Sequence, residues 1–339
     1  MTRATTGHRD HVSAAGVRQY CEMPEPAGEL RFDPLTREWV NIVGSRQARP
    51  NLPATECPFC VGGLEAPDPY DVRWFANRWP AYAPGEPVDT LAAEAAGTTR
   101  LPAVGACEVV LFSPDHDESL STLTIGQLRK VVDLWATRTL ELLARPEIEY
   151  TLVFENRGRE VGATIDHPHG QIYGYGFIPP APAREAAVAR AHGCAVCSEV
   201  AAELGSGTRL VTTRGNWVAW VPYASGHAYG MRIAPRAHLP SIPALDDASR
   251  DDLAAVLIDA LGRYDRLWPP PDPGYRFPYL LWFHQAPAGG GDEWHLHAHV
   301  APPLRAPGVT RYIASAEVGG GTLSNPVVPE AAARALRDA

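Results

Sequence analysis

Three polar side chains occupy alternate positions in Asp166-His167-Pro168-His169-Gly170-Gln171, a stretch lying between Gly162 and Gly174. Residues two apart on an extended strand face the same way, so His167, His169 and Gln171 would look out from one face. Such a row serves a core poorly and a ligand well. A neutral imidazole can attack phosphorus and hold it as a phosphoramidate, dividing one transfer into two easier steps. A third histidine at position 171 could protonate a leaving group. Gln171 offers only a neutral N–H donor, which favours transfer over hydrolysis.

Four of the six cysteines form two pairs, Cys57-Pro58-Phe59-Cys60 and Cys194-Ala195-Val196-Cys197. In a chain of this size such pairs point to metal or redox work. The thioredoxin-like βαβ context that redox work requires is not found. The surroundings of the two pairs repeat in the same order: Cys-x-x-Cys, a strand, a proline followed by a histidine, a helix, a strand, then His-x-His. Each copy supplies a tetrahedral zinc set, Cys57, Cys60, His116, His167 and Cys194, Cys197, His238, His295. Four protein ligands close a site, so both zincs read as structural. His169 and His297 are left over. Cys21 and Cys107 read as ordinary residues.

The elements that must position these groups follow from apolar spacing. Residues 1–27 lack periodicity and read as a mobile arm. Strands are expected at 38–43, 107–112, 150–154 and 279–283, and a loop at 83–105. A helix opens at the capping box Thr124-Ile125-Gly126-Gln127, buries Leu128, Val131, Val132, Trp135, Leu142 and Leu143, and stops at Pro146. Its counterpart carries Leu253, Val256, Leu257, Ala260, Leu261, Tyr264 and Trp268, and ends at Pro269. The chain therefore divides into an arm (1–27), a catalytic unit (28–180) and a metal-binding unit (181–339).

With 339 residues, 45% hydrophobic and 20% charged, the chain is long enough for a sizeable core. A net charge of -9 argues against nucleic acid as a partner. No apolar run long enough to span a membrane occurs, so the expected location is cytoplasmic. Lys130 is the sole lysine and lacks a P-loop context, which excludes that phosphate machinery. Arg46 and Arg49, three apart, read from spacing alone as a solvated loop.

Phe154-Glu155-Asn156-Arg157-Gly158, Gly162 and His167-Pro168-His169-Gly170-Gln171 resemble the galactose-1-phosphate uridylyltransferase family of the histidine-triad superfamily, and the similarity runs from about Arg31 to Arg337. The resemblance implies an α+β fold of two fused histidine-triad-like units, each an antiparallel half-barrel with packed helices, assembled as a homodimer. It implies ping-pong chemistry between a nucleotide sugar and a sugar 1-phosphate: UDP-glucose uridylylates His169, glucose 1-phosphate leaves, and a hexose 1-phosphate takes the group. By matched position Gln171 would hold the uridylyl phosphate, and Asn156, Gly162 and Thr164 would line the phosphate side. Arg46 and Arg49 would reach the nucleotide across the dimer, which reverses their reading from spacing. Asn77 would touch the nucleotide, although Arg78 stands where some relatives have Asp. Arg311 and Glu317 would belong to the hexose-contacting strand, in which Ala314 and Ala316 replace larger side chains. The resemblance also implies a second metal on Glu185, His284, His297 and His299, as an alternative to zinc at the second cysteine pair; zinc and iron both remain open.

The altered acceptor segment leaves room for a nucleotide-sugar phosphorylase that uses inorganic phosphate, of the ADP-glucose phosphorylase kind. A hydrolase centred on His295-Leu296-His297-Ala298-His299 competes, but the Asn-x-Gly loop present at Asn156 and Gly158 has no counterpart there, and Phe283-His284-Gln285-Ala286-Pro287 occupies its place. A zinc-stabilised nucleotide-binding scaffold is the non-enzymatic alternative.

Overall fold

Antiparallel pairing and two long helices do most of the positioning. The computed structural model describes residues 28–48 and 56–339; the arm 1–27, Cys21 and Arg49 lie outside them. The first part of the chain runs β1 (Glu29–Asp33), β2 (Glu38–Ile42), β3 (Arg73–Ala76), α1 (Thr90–Ala95), β4 (Arg100–Pro102), β5 (Gly105–Leu111), α2 (Ile125–Leu143), β6 (Tyr150–Arg157) and β7 (His169–Tyr175). The second part runs α3 (Pro180–His192), α4 (Ala195–Ser206), β8 (Leu210–Arg214), β9 (Trp217–Trp220), β10 (Met231–Pro235) and α5 (Asp247–Leu267). It continues with β11 (Tyr279–His284), β12 (His297–Ala301), β13 (Leu304–Ala306), β14 (Val309–Thr310), α6 (Ser315–Gly320) and α7 (Pro329–Asp338). No helix among the described residues is long and apolar enough to cross a membrane.

The two expected antiparallel units are fused through a shared sheet. One nine-stranded sheet runs β3-β5-β7-β6-β11-β12-β10-β9-β8, and the two copies join edge to edge at β6 and β11. Directly paired residues point to the same face of a sheet. Gln171 pairs with Phe154, Phe154 with Trp282, and Trp282 with His299, so these four form a row across the junction. Phe154 and Trp282 are equivalent positions of the two copies, which places an approximate two-fold axis between them. His169 and His297 therefore lie on one face, toward opposite ends of it.

The other face carries the core. Val110, Val153, Ile172, Leu281 and Val300 pack there against Leu128, Val131, Val132 and Trp135 of α2 and Leu253, Val256, Leu257 and Leu261 of α5. The apolar stripes read from sequence are buried apart from Leu143 and Trp268, which are half-buried at the helix ends, and the two helices also pack on each other. Thr124 caps α2 by accepting from Gln127 N at 3.1 Å. Gln127 directs its own amide N–H groups to the carbonyls of Asp71 (2.7 Å) and Phe112 (2.9 Å), tying the helix start to the strand ends.

Two expectations are corrected. Residues 83–105 are not a plain loop: Asp89 accepts from Ala92 N and starts α1, and β4 pairs with the edge of β1 opposite β2. The segment around Arg311–Glu317 is not a strand, because β14 ends at Thr310 and α6 starts at Ser315. Glu317 causes this turn by accepting from the N–H groups of Ala314 and Ser324 (2.8 and 2.7 Å) while pairing with Arg311.

Candidate active site

β7 starts at His169, so the expected three-residue row is a two-residue one. His169 and Gln171 share its half-buried face, while His167 lies buried in the bend before it. Gly170 points the other way: a Cβ there would stand 2.6 Å from the Phe112 ring and 2.8 Å from the Phe154 carbonyl. The glycine lets β7 close onto the core exactly between the two polar residues.

His169 Nδ1 lies 2.8 Å from the carbonyl oxygen of His167. A carbonyl only accepts, so Nδ1 carries the hydrogen and the ring's lone pair is on Nε2. The Phe59 ring meets the imidazole edge-on at 5.1 Å and limits its rotation. His169 stands on the wall between two clefts. One, of about 680 Å³, contains Gln171, Asn77, Thr164, Phe59, Phe75 and Arg78. The other, of about 840 Å³, contains Asn156, Arg157, Gly158, Arg159 and Arg276.

The remaining expected residues distribute unevenly. Gly162 closes the turn before Thr164 with a left-handed φ of 83°, a conformation that favours glycine. Arg46 donates to the Tyr173 hydroxyl at 3.4 Å, two positions beyond Gln171 on the same strand face. Arg311 and Glu317 line neither cleft and are bound to each other. Arg78 pairs with Glu65 on the rim of the first cleft. Phe59 was missed from sequence, although its position inside the first Cys-x-x-Cys was the available signal. Glu155 was also missed: it is buried, accepts from the Tyr279 hydroxyl at 2.9 Å, and burial pushes its pKa up to about 7. No spacing signal marks it.

Cys57, Cys60, His116 and His167 gather as expected, with all ligand atoms within 4.8 Å of one another. Zinc–sulfur and zinc–nitrogen bonds at the tetrahedral angle require an S···N edge of about 3.6 Å. Cys60 Sγ lies 3.5 Å from His116 Nδ1 and 3.6 Å from His167 Nδ1, so a zinc ion fits. His167 Nε2 donates to the Ser113 carbonyl at 2.8 Å, which leaves Nδ1 as the ligand atom. Burial holds His167 near a pKa of about 4, hence neutral and able to ligate.

The second copy forms both of the sites that sequence offered as alternatives, and they share no ligand. Cys194, Cys197, His238 and His295 reproduce the first set, with S···N separations of 3.3–3.4 Å. His295 Nε2 faces the Pro235 carbonyl at 3.1 Å, as His167 faces Ser113. Glu185, His284, His297 and His299 make the other cluster. Glu185 Oε2 accepts from His284 Nδ1 at 2.7 Å and lies 3.5 Å from His297 Nε2. Although burial opposes it, these histidines hold the Glu185 carboxyl well below the usual carboxylate range. His299 Nε2 is buried without a hydrogen-bond partner, which a metal ion would supply. His297 Nδ1 sits 2.7 Å from the His295 carbonyl, the same clamp that holds His169.

A doubled antiparallel unit with Cys₂His₂ loops and a carbonyl-clamped histidine between two clefts defines a fused histidine-triad-like protein. The chain belongs to the galactose-1-phosphate uridyl transferase family, whose N-terminal domain matches residues 57–179 and whose C-terminal domain matches residues 189–339. It is 35% identical to the galactose-1-phosphate uridylyltransferase of Thermotoga maritima, over 91% of this chain and 98% of that one. A solved uridylyltransferase mutant superposes with a TM-score of 0.78 at 29% identity, covering 91% of this chain and 97% of the other. An ADP-glucose phosphorylase from Arabidopsis thaliana, solved with ADP-glucose, shares the fold at a TM-score of 0.68 and 24% identity, over 92% and 99% of the two chains.

Proposed function

We propose that this enzyme transfers a uridylyl group from UDP-glucose to a hexose 1-phosphate, galactose 1-phosphate first among acceptors, through a uridylyl-histidine at His169. One observation carries the reading: His169, with its lone pair on Nε2, stands where the two clefts meet. Nε2 attacks the α-phosphorus, the bond from that phosphorus to the glucose 1-phosphate oxygen breaks, and glucose 1-phosphate leaves as the anion. In the second half, a phosphate oxygen of the acceptor attacks the same phosphorus and the P–N bond returns its electrons to Nε2. The Phe59–Phe75 cleft suits the nucleoside; the Asn156–Gly158 cleft, with Arg157, Arg159 and Arg276, suits the sugar phosphate. Gln171 donates to the phosphoryl oxygens without delivering a proton to water or a leaving group.

Zinc at Cys57, Cys60, His116 and His167 would cross-link the loop whose carbonyl clamps His169. In the second unit, zinc at Cys194, Cys197, His238 and His295, with zinc or iron at Glu185, His284, His297 and His299, would serve structure. The units are taken as residues 28–180 and 181–339, in a cytoplasmic homodimer. Arg311 and Glu317 do not reach the His169 clefts of their own chain, and Tyr312, Ile313 and Val318 beside them are exposed. Both facts suit a segment completed by a second copy, and sedimentation equilibrium reads the mass; a monomer would reject it.

Intact-protein mass after exposure to UDP-glucose, UDP-galactose or ADP-glucose tests the chemistry. An adduct is expected with UDP-glucose and is lost in His169→Gly, with transfer falling by about 10⁶. His297→Gly keeps it. Absence of an adduct from the unaltered enzyme would leave only a binding protein.

A second reading has one observation behind it: the segment matched to the hexose strand is a turn running into α6, with Arg311 closed on Glu317. Inorganic phosphate could then be the acceptor. Phosphate alone, added to the nucleotidylated enzyme, would release the nucleoside diphosphate under that reading and leave the adduct intact under the first.

A further inference from the structure

The hydrogen bonds beneath Gln171 have a direction. The backbone N–H of Trp79 can only donate, and it reaches the Asn77 side chain at 2.9 Å, so the atom it meets is Oδ1. Asn77 Nδ2 then faces Gln171 at 3.2 Å and can only donate, so Gln171 turns Oε1 toward it. The other end of the Gln171 amide is therefore the Nε2 donor, in the cleft shared with His169. Asn77 is itself anchored at the end of β3, where its backbone N–H donates to the Cys107 carbonyl at 2.8 Å. Strand pairing fixes Gln171 in turn, between Val109 on β5 and Phe154 on β6.

We propose that Asn77 is a positioning residue for nucleotidyl transfer: it sets which end of the Gln171 amide faces the phosphoryl group on His169. This goes one step beyond the nucleotide contact expected of Asn77, and it rests on His169 being the nucleophile. An amide left to rotate offers its carbonyl to the phosphoryl oxygens as readily as its N–H groups. A carbonyl oxygen repels the charge that develops there, whereas an oriented donor stabilises it.

Asn77→Asp is the informative variant, because it keeps an acceptor for Trp79 N–H while presenting a carboxylate oxygen to Gln171. That oxygen draws Nε2 away from the cleft. In rapid-quench measurement of the first half-reaction, the maximal nucleotidylation rate is expected to fall by about 10²-fold. Half-saturation by UDP-glucose stays close to that of the unaltered enzyme. Asn77→Ala, which removes the bias without reversing it, loses less. In a Gln171→Ala background, Asn77→Asp adds no further loss. A rise in half-saturation with the rate unchanged, or the same loss with and without Gln171, would make Asn77 a direct nucleotide contact and overturn the proposal. If the unaltered enzyme forms no adduct at all, the nucleophile assignment has failed first, and the relay has nothing to position.

Discussion

At the scale of single residues, the chemistry was legible wherever it was written as local spacing. His167 and His169 are separated by one residue, and the clamp between the carbonyl of one and the ring of the other spans only that distance. Glu155 stands in a motif read from sequence but was given no role there, because its partners lie far along the chain: Tyr279 bonds it, and Arg157 beside it pairs with Asp265. Its pH behaviour follows from its burial. The carboxyl rises from an ordinary 4.5 to about 7 in the folded protein, so the fold prefers it protonated. Its stabilising effect is complete below about pH 4.5 and drains away as pH climbs through 7, a change on the order of 3 kcal/mol. Glu155→Gln should therefore flatten the decline in denaturant stability between pH 5 and 7.5. Parallel curves for the two proteins would refute that account.

Among elements, the repeat made both Cys₂His₂ sets readable, since each combines a Cys-x-x-Cys loop with two histidines at matching places. What spacing did not show was that the second copy gathers both clusters at once. The carboxylate of the Glu185 cluster comes from α3, and a lone glutamate on a helix carries no metal signature, so the resemblance alone named it. Structural zinc binding is worth roughly 10–16 kcal/mol, comparable to the whole net stability of a domain. Cys60→Ser should accordingly lose one metal equivalent by elemental analysis, melt well below the parent, and slow nucleotidylation because the loop holding His169 loosens. Cys197→Ser should also lose one equivalent while keeping the nucleotidylation rate. Equal damage to that rate from both would show that the second site is not confined to structure. The misread stretches, 83–105 and 310–317, share one cause: their short helices are started by single side chains, Asp89 and Glu317, rather than by apolar periodicity.

For the whole molecule, the sequence divided the chain in two and the sheet joins it again. The β6–β11 pairing links strands more than a hundred residues apart, and no local pattern announces such a partner. The Arg157–Asp265 and Glu155–Tyr279 contacts cross the same junction, and α2 packs on α5 behind it. Unfolding should therefore be one cooperative event, with urea midpoints from hydrogen exchange coinciding for β7 and β12 peptides. Separate midpoints would mean that the two copies fold independently. The axis between Phe154 and Trp282 has a further consequence for protein engineering. His297 already holds the ring orientation that a nucleophile needs, clamped at 2.7 Å by its neighbour's carbonyl, while Glu185 and the flanking histidines engage its other face. A designer who wanted two transfer centres in one chain could begin there, exchanging His299 for glutamine, removing Glu185 and rebuilding the segment after Phe283 to supply the phosphate loop that Asn156 and Gly158 form in the first copy.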